Sequence, residues 1–370
     1  MNDPIQVPLT PSQQSLVEKF RARQLLALSR CISLVENHRP GFESVLEELH
    51  DGVGSARRVG ITGPPGAGKS TLTAALARIY RDRGLTVGII AVDPSSPFTG
   101  GALLGDRVRM DDLATEDGIF IRSMASRGSH GGLAAATREA ADLLDAFGFD
   151  RILLETVGVG QSELEVASSA DSTLVVLVPE SGDGIQAMKA GLMEVADLFA
   201  INKADRPGAD RLKKEIEVVL ALRTGSAPSH VPGHHGVDLS SLAAARTASA
   251  TGGPGTLPAA DKSEAAGEWT VPVLRCVAST GEGVPEIAAG LDSHFAWLES
   301  SGRLESNRRE QALEHARLVL ERSVRRRAMG AWSSWFDADG HDPTDGRRSP
   351  YAISREVYRN LWPETDSNSD

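Results

Sequence analysis

The stretch GPPGAGKST, Gly63 to Thr71, gathers three glycines, a lysine and two hydroxyls into one short run. It satisfies G-x-x-x-x-G-K-[ST] and stands between a β-rich run, RRVGIT, and a helical one, LTAALARIYRDRG, which is the context a phosphate loop requires. Gly63, Gly66 and Gly68 let the backbone wrap phosphate oxygens with its N–H groups turned inward. The helix opening near Lys69 offers its positive end to an anion. Lys69 places a point charge on the β- and γ-phosphates, and Ser70 presents a hydroxyl to Mg²⁺. The whole loop, Gly63, Pro64, Pro65, Gly66, Ala67, Gly68, Lys69, Ser70 and Thr71, is the candidate nucleotide cradle.

A second run, LFAINKAD, ends in Asn202-Lys203-Ala204-Asp205, the N-K-x-D pattern that reads guanine. A carboxylate at Asp205 accepts hydrogen bonds from N1–H and the exocyclic amine of guanine. Adenine lacks that donor pair and would leave the carboxylate desolvated and unpaired. The Lys203 stem can pack along the base plane. One run further, VLRCVASTGEG occupies the place of the S-A-x loop of G proteins. Here it reads Val277-Ala278-Ser279, and a backbone contact to the guanine oxygen survives that side-chain change.

Three acids complete the chemistry. AVDPSSPFTGGALLGDRVRM carries Asp93 at a strand end and Asp106 a short loop later, and DRILLETVGVGQ carries Glu155. Nucleotide-bound Mg²⁺ keeps several waters and takes few protein oxygens, so Ser70, Asp93, Asp106 and Glu155 are candidate ligands, some through water. Glu155 stands where the D-x-x-G motif of G proteins has an aspartate, and Gly158 can sense the γ-phosphate through its N–H. Lys69, Asp93 and Glu155 are the expected catalytic residues, with water attacking the γ-phosphate in line. Arg107, Arg109 and Arg127 read as structural ion pairs, so intrinsic hydrolysis is expected to be slow.

These residues need a scaffold that brings strand ends together. From Arg57 onward, short apolar runs alternate with helical stretches: RRVGIT, TVGIIAVD, GIFIRSM, DRILLET, STLVVLVPE, LFAINKAD and TVPVLRCVA. Most are continuously apolar, which suits strands covered on both faces. The expected fold is α/β, a mostly parallel, doubly wound P-loop sheet with ligands at the carboxyl ends of its strands. Residues 1–55 read as a helical N-terminal domain, with Leu25, Leu26, Cys31, Ile32, Leu34 and Val35 at helical spacing. Residues 56–296 form the nucleotide domain. Residues 297–370 are a helical arm and tail, whose stripe of Leu313, Ala316, Leu320 and Val324 suggests burial against a second copy of the chain. The insertion 224–268 is rich in Gly, Ala, Ser, Thr and Pro and reads as disordered.

The 370-residue chain is 41% hydrophobic and 24% charged, with a net charge of −11, which argues against nucleic-acid binding. No apolar run nears the about 20 residues of a membrane span. The polar start, MNDPIQVPLTPSQQS, does not read as a signal peptide. Two cysteines, Cys31 and Cys276, without metal-ligand spacing, read as buried thiols in a cytoplasmic protein.

Taken in order, GPPGAGKST, VDPSSPFTGGALLGDRVRM, RSMASRGSHGGLA, ETVGVGQSE, GDGIQAMKAGLMEVAD and NKAD resemble the methylmalonyl-CoA mutase-associated GTPases (MeaB/ArgK). The resemblance runs over about residues 15 to 330. The long insertion and Val277 depart from it. It implies a homodimeric GTPase, of the class that includes the nickel-insertion and signal-recognition GTPases, using Mg²⁺ with GTP or GDP. Its implied partner is an adenosylcobalamin-dependent methylmalonyl-CoA mutase or a related isobutyryl- or ethylmalonyl-type mutase, whose cofactor loading it gates and which it protects from inactivation. It also implies a mobile loop around Asp183, Gln186 and Lys189, which by sequence alone reads equally as a solvated helix start. A nickel-insertion accessory GTPase, an amino-acid transport kinase and a nucleotide-gated binding module are the alternatives.

Overall fold

The computed structural model describes residues 8–94, 113, 115–126, 132–156, 168–179, 190–223, 267–336 and 349–361. Three helices come first: α1 (Pro11–Arg21), α2 (Leu25–Glu36) and α3 (Phe42–Leu49). Thr10 and Gln13 close a reciprocal capping box on α1, which satisfies orphan donors at its start. α2 turns Ala27, Leu28, Cys31, Ile32 and Val35 inward. Leu25 and Leu26 do not join that stripe and are more than half exposed. They lie in the first turn of α2, just after Arg23 breaks α1 in the left-handed region (φ 59°).

Next come β1 (Arg57–Thr62), α4 (Lys69–Asp82), β2 (Val87–Pro94), β3 (Ile119–Ser126), α5 (Gly132–Phe147), β4 (Arg151–Thr156), β5 (Ser172–Leu177), α6 (Ala190–Val195), β6 (Leu198–Ile201), α7 (Ala209–Arg223), β7 (Val273–Arg275) and α8 (Val284–Ser300). The seven strands form one sheet in the order β3-β2-β4-β1-β5-β6-β7, and every neighbouring pair is parallel. Each apolar run read from the sequence is one of these strands.

Both faces are covered, which explains why the runs are continuously apolar. On one face Ile90, Val92, Ile152 and Leu154 pack with α5 and the N-terminal helices through Phe20, Leu28, Ile32 and Phe42. On the other, Ile61, Ile89, Leu153 and Val176 pack with α4 and α8. Cys31 and Cys276 are both buried and free, and burial pushes each thiol up to about 12. β1 sits between β4 and β5, with the rest of the sheet growing away on either side. The carboxyl end of β1 is therefore the crevice where an α/β sheet takes its ligand.

A helix of unusual length, α9 (Arg303–Phe336), follows, and α10 (Pro350–Leu361) folds back on its end. Ile353 and Val357 of α10 pack against Trp335. Elsewhere the apolar stripe of α9 is bare: Leu313 is 65% exposed, Leu320 63% and Val324 44%. Residues 224–266 of the insertion, with three histidines at His230, His234 and His235, lie outside the described residues.

Candidate nucleotide site

The loop between β1 and α4 is shaped by what lies against it. Gly63 has φ 136°, and a Cβ there would stand 2.1 Å from the Val176 carbonyl of β5. Gly68 has φ 86°, and its Cβ would fall 2.4 Å from Asn202 Nδ2. Both positions need glycine for conformation and for space. Gly68 is also the N-cap of α4 and supplies no side-chain cap, so the first amides of a 14-residue helix face the loop. Lys69 Nζ donates to the Gly63 carbonyl at 2.9 Å and the Pro64 carbonyl at 3.1 Å, which holds the ammonium over the loop. Pro65 and Gly66 form its exposed lip, and Ala67 is buried beneath.

Ser70, buried one residue on, donates to Glu155 Oε1 at 2.6 Å. Glu155 is 3% exposed at the end of β4. The register Ile61↔Glu155 places it beside β1, and behind it Thr156 Oγ1 meets Thr62 Oγ1 at 3.1 Å. The pair Val92↔Thr156 puts the backbone of Asp93 at the same carboxyl rim. The side chain of Asp93, and all of Asp106, Gly158, Asp183, Gln186 and Lys189, lie outside the described residues.

Asn202, at the end of β6, ties three segments together. Its Nδ2 donates to the Ala67 carbonyl at 2.8 Å. Its Oδ1 accepts the Lys203 amide at 2.8 Å and the Ala278 amide at 3.0 Å. Lys203 adopts φ 56°, and its Nζ donates to the Gly66 carbonyl at 2.9 Å, so its aliphatic stem crosses from the β6 end to the loop. Asp205 is exposed at the rim. The Val277-Ala278-Ser279 turn is pinned by the Val277 amide donating to the Glu282 carbonyl at 2.8 Å, and Ser279 is exposed.

The structure thus brings the phosphate loop, Glu155, the N-K-x-D turn and the 277–279 turn to one rim. The fixed amides and Lys69 suit an anion. The Ser70 hydroxyl and Glu155 carboxylate are hard oxygen donors, a set that fits Mg²⁺ rather than a softer ion. Sequence reasoning did not foresee that Asn202 would serve as the brace between loop and turn. The N-K-x-D spacing marked the residue, while its partners lie far away in sequence.

The family model described as methylmalonyl Co-A mutase-associated GTPase MeaB matches residues 28–333. A putative GTPase of Pyrococcus horikoshii is 40% identical over 322 residues, 87% of this chain and 90% of that one. GTPase ArgK of Escherichia coli is 35% identical over 312 residues, 83% of each. The mitochondrial methylmalonic aciduria type A homolog of Mus musculus is 45% identical over 148 residues, 40% of this chain and 36% of that one. A crystal structure of LAO/AO transport system kinase superposes with a TM-score of 0.62 at 26% identity, covering 96% of this chain and 99% of that one. With the phosphate loop and the N-K-x-D turn assembled on one rim, these likenesses make the chain a P-loop GTPase that belongs to the MeaB family of methylmalonyl-CoA mutase-associated GTPases.

Proposed function

We propose that this GTPase is a chaperone for an adenosylcobalamin-dependent acyl-CoA mutase, methylmalonyl-CoA mutase first, gating cofactor loading and protecting the mutase from inactivation. The observation that carries the reading is the family match, which spans the whole site from Gly63 to Ser279 within residues 28–333. The protein works as a homodimer in the cytosol. Among the described residues no helix is long and apolar enough to cross a membrane.

At the site, Gly63 to Thr71 hold the phosphates, with Lys69 and the first amides of α4 set against charge that grows on the γ-phosphoryl oxygens. Ser70 and Glu155, joined by Asp93 and Asp106, would hold Mg²⁺, which supplies charge neutralisation across the β- and γ-phosphates. Asn202 keeps the loop and the 277–279 turn in register, Lys203 lies along the base, and Asp205 selects guanine. Gly158 and the segment around Asp183, Gln186 and Lys189 report the nucleotide state to the partner.

The test is co-purification of the full chain with candidate cobalamin mutases, in GDP and in a non-hydrolysable GTP analogue. The expected result is a complex with one mutase whose stability differs between the two nucleotides, and faster GTP turnover within it. Failure to bind any such mutase in either state would overturn the client assignment and leave the GTPase standing.

A further inference from the structure

β1 and β4 part company at the rim where the phosphate loop begins. Their backbone pairing ends at Ile61 and Glu155. One residue later each strand leans on its outer neighbour. Thr62 pairs with Val175 of β5, and Thr156 pairs with Val92 of β2. Gly63 then runs close against the Val176 carbonyl of β5. The chain therefore enters the phosphate loop on the β5 side, and the seam between β1 and β4 opens.

Across that opening Thr156 Oγ1 donates to Thr62 Oγ1 at 3.1 Å. Both residues are 1% exposed. The bond carries the β1–β4 seam one residue past the last backbone pair. Successive side chains of a strand point to opposite faces. Glu155 shares a face with Leu153, on the side of α4, and receives the Ser70 hydroxyl at 2.6 Å. Thr156 shares the other face with Ile152 and Leu154, on the side of α5. Two adjacent residues thus brace the end of β4 from both faces. One reaches the first turn of α4, and the other reaches the residue before the phosphate loop.

Packing alone does not call for hydroxyls here. The neighbours Ile90, Val92, Ile152 and Leu154 are aliphatic, and valine has nearly threonine's shape and suits a buried strand. The bond between the two hydroxyls is what distinguishes threonine. We propose that Thr156 is a positioning residue for GTP hydrolysis: its bond to Thr62 fixes Glu155 against the phosphate loop, so that the carboxylate and the Ser70 hydroxyl meet one magnesium ion at a set spacing. The inference rests on the reading of Ser70 and Glu155 as metal-binding residues. Thr156 itself touches neither metal nor nucleotide. A misplacement of about 1 Å costs on the order of a hundredfold in rate, and a strand end released on one face gains that freedom.

Three measurements on the full chain test this: affinity for a fluorescent GDP analogue in magnesium and in EDTA, single-turnover GTP hydrolysis, and the urea midpoint. In Thr156→Val, affinity in EDTA is expected to match the parent, because the phosphate loop is intact. The gain in affinity on adding magnesium is expected to shrink about tenfold, and hydrolysis to slow about tenfold or more, as for the loss of a group that orients a metal-binding residue. Thr156→Ser keeps the hydroxyl and is expected to behave as the parent. Thr62→Val with Thr156→Val leaves no buried hydroxyl unpaired. Its urea midpoint is expected to return toward the parent while the magnesium defect persists, whereas a bond that only stabilises would restore both. Glu155→Gln tests the metal reading by itself, and its magnesium gain is expected to shrink with Thr156 in place. A full magnesium gain in Glu155→Gln would overturn the metal reading and the positioning role together. A lost gain in Glu155→Gln, with a full one in Thr156→Val or in the double variant, would overturn the positioning role alone.

Discussion

Asp205 and Asn202 sit three positions apart and do different work. Asp205 is exposed and offers two acceptors at the rim. Asp205→Asn swaps one acceptor for a donor, which opposes guanine and suits xanthine. Its GTP affinity should drop about tenfold to a hundredfold, the loss of a charge-assisted bond, while xanthosine triphosphate gains. Competition against a fluorescent guanosine nucleotide measures both, and unchanged GTP affinity would contradict the base-reading role. Asn202 is buried and braces Ala67, Lys203 and Ala278. Asn202→Ala leaves a carbonyl and an amide buried without a partner. The expected cost is about 2 kcal/mol or more of stability, read from the urea midpoint, together with weaker nucleotide binding. A variant that lost nucleotide affinity at full stability would mean that Asn202 touches the nucleotide and braces nothing.

The elements carry a second polar cluster at the opposite rim of the sheet. His294 of α8 meets Ser172 Oγ, at the start of β5, through Nδ1 at 2.8 Å. Its Nε2 meets Asp197 Oδ1, just ahead of β6, at 3.3 Å. Trp269 and Trp297 cover the imidazole, with ring centroids 4.8 and 5.6 Å away. Ser172 is 2% exposed and its hydroxyl is engaged by His294, so the hydroxyl serves the packing of this rim. Burial pushes the Asp197 carboxyl from 3.8 up to about 7 and the His294 imidazole from 6.5 down to about 4. The raised acid contributes stability that is full at low pH and lost as pH rises toward 7. The lowered base contributes stability that is full above about 6.5 and lost as pH falls toward 4. Between those limits the slopes oppose, because the pair holds one proton in either arrangement. His294→Gln should therefore be more destabilising at pH 6.5 than at pH 4.5, and Asp197→Asn the reverse. Urea midpoints against the parent chain measure this, and equal differences at both pH values would exclude the shared proton. No motif announced this cluster, since its members are ordinary residues brought together from distant positions. The strands were legible because two-sided burial forces unbroken apolar runs, and the meeting of Lys69, Ser70 and Asn202 at one rim because the phosphate-loop and N-K-x-D patterns each stand at a strand end. Leu25 and Leu26 show the converse: apolar periodicity marks a stripe but not where packing begins.

At the scale of the whole molecule, one large apolar face stays uncovered among the described residues, and the reason lies at the foot of α9. Arg308 grips Asp171 with two bonds of 2.8 Å and reaches the Gly54 and Ala56 carbonyls. Gln311 Nε2 donates to the Ala170 carbonyl at 2.9 Å, and Arg322 holds Glu139. A 34-residue helix spans about 51 Å at 1.5 Å per residue, and these clamps act on its first two thirds. It therefore cannot swing back to bury Leu313, Leu320 and Val324, which recur at helical spacing on its outer side. Met329, Trp332 and Phe336, 54%, 38% and 49% exposed, continue the apolar surface toward Tyr351 and Tyr358 of α10. Exposure of this extent marks an interaction surface, and a second copy of the same helix matches it in length and character. Sedimentation equilibrium should give twice the 39.2 kDa chain mass. Because the contact is apolar, raised salt should not dissociate it. Leu313→Glu with Leu320→Glu places charges in the seam and should yield a monomer that still binds GTP, since neither residue touches the phosphate loop. A parent chain that sediments as a monomer, or a double variant that stays dimeric, would show that this stripe serves a different partner.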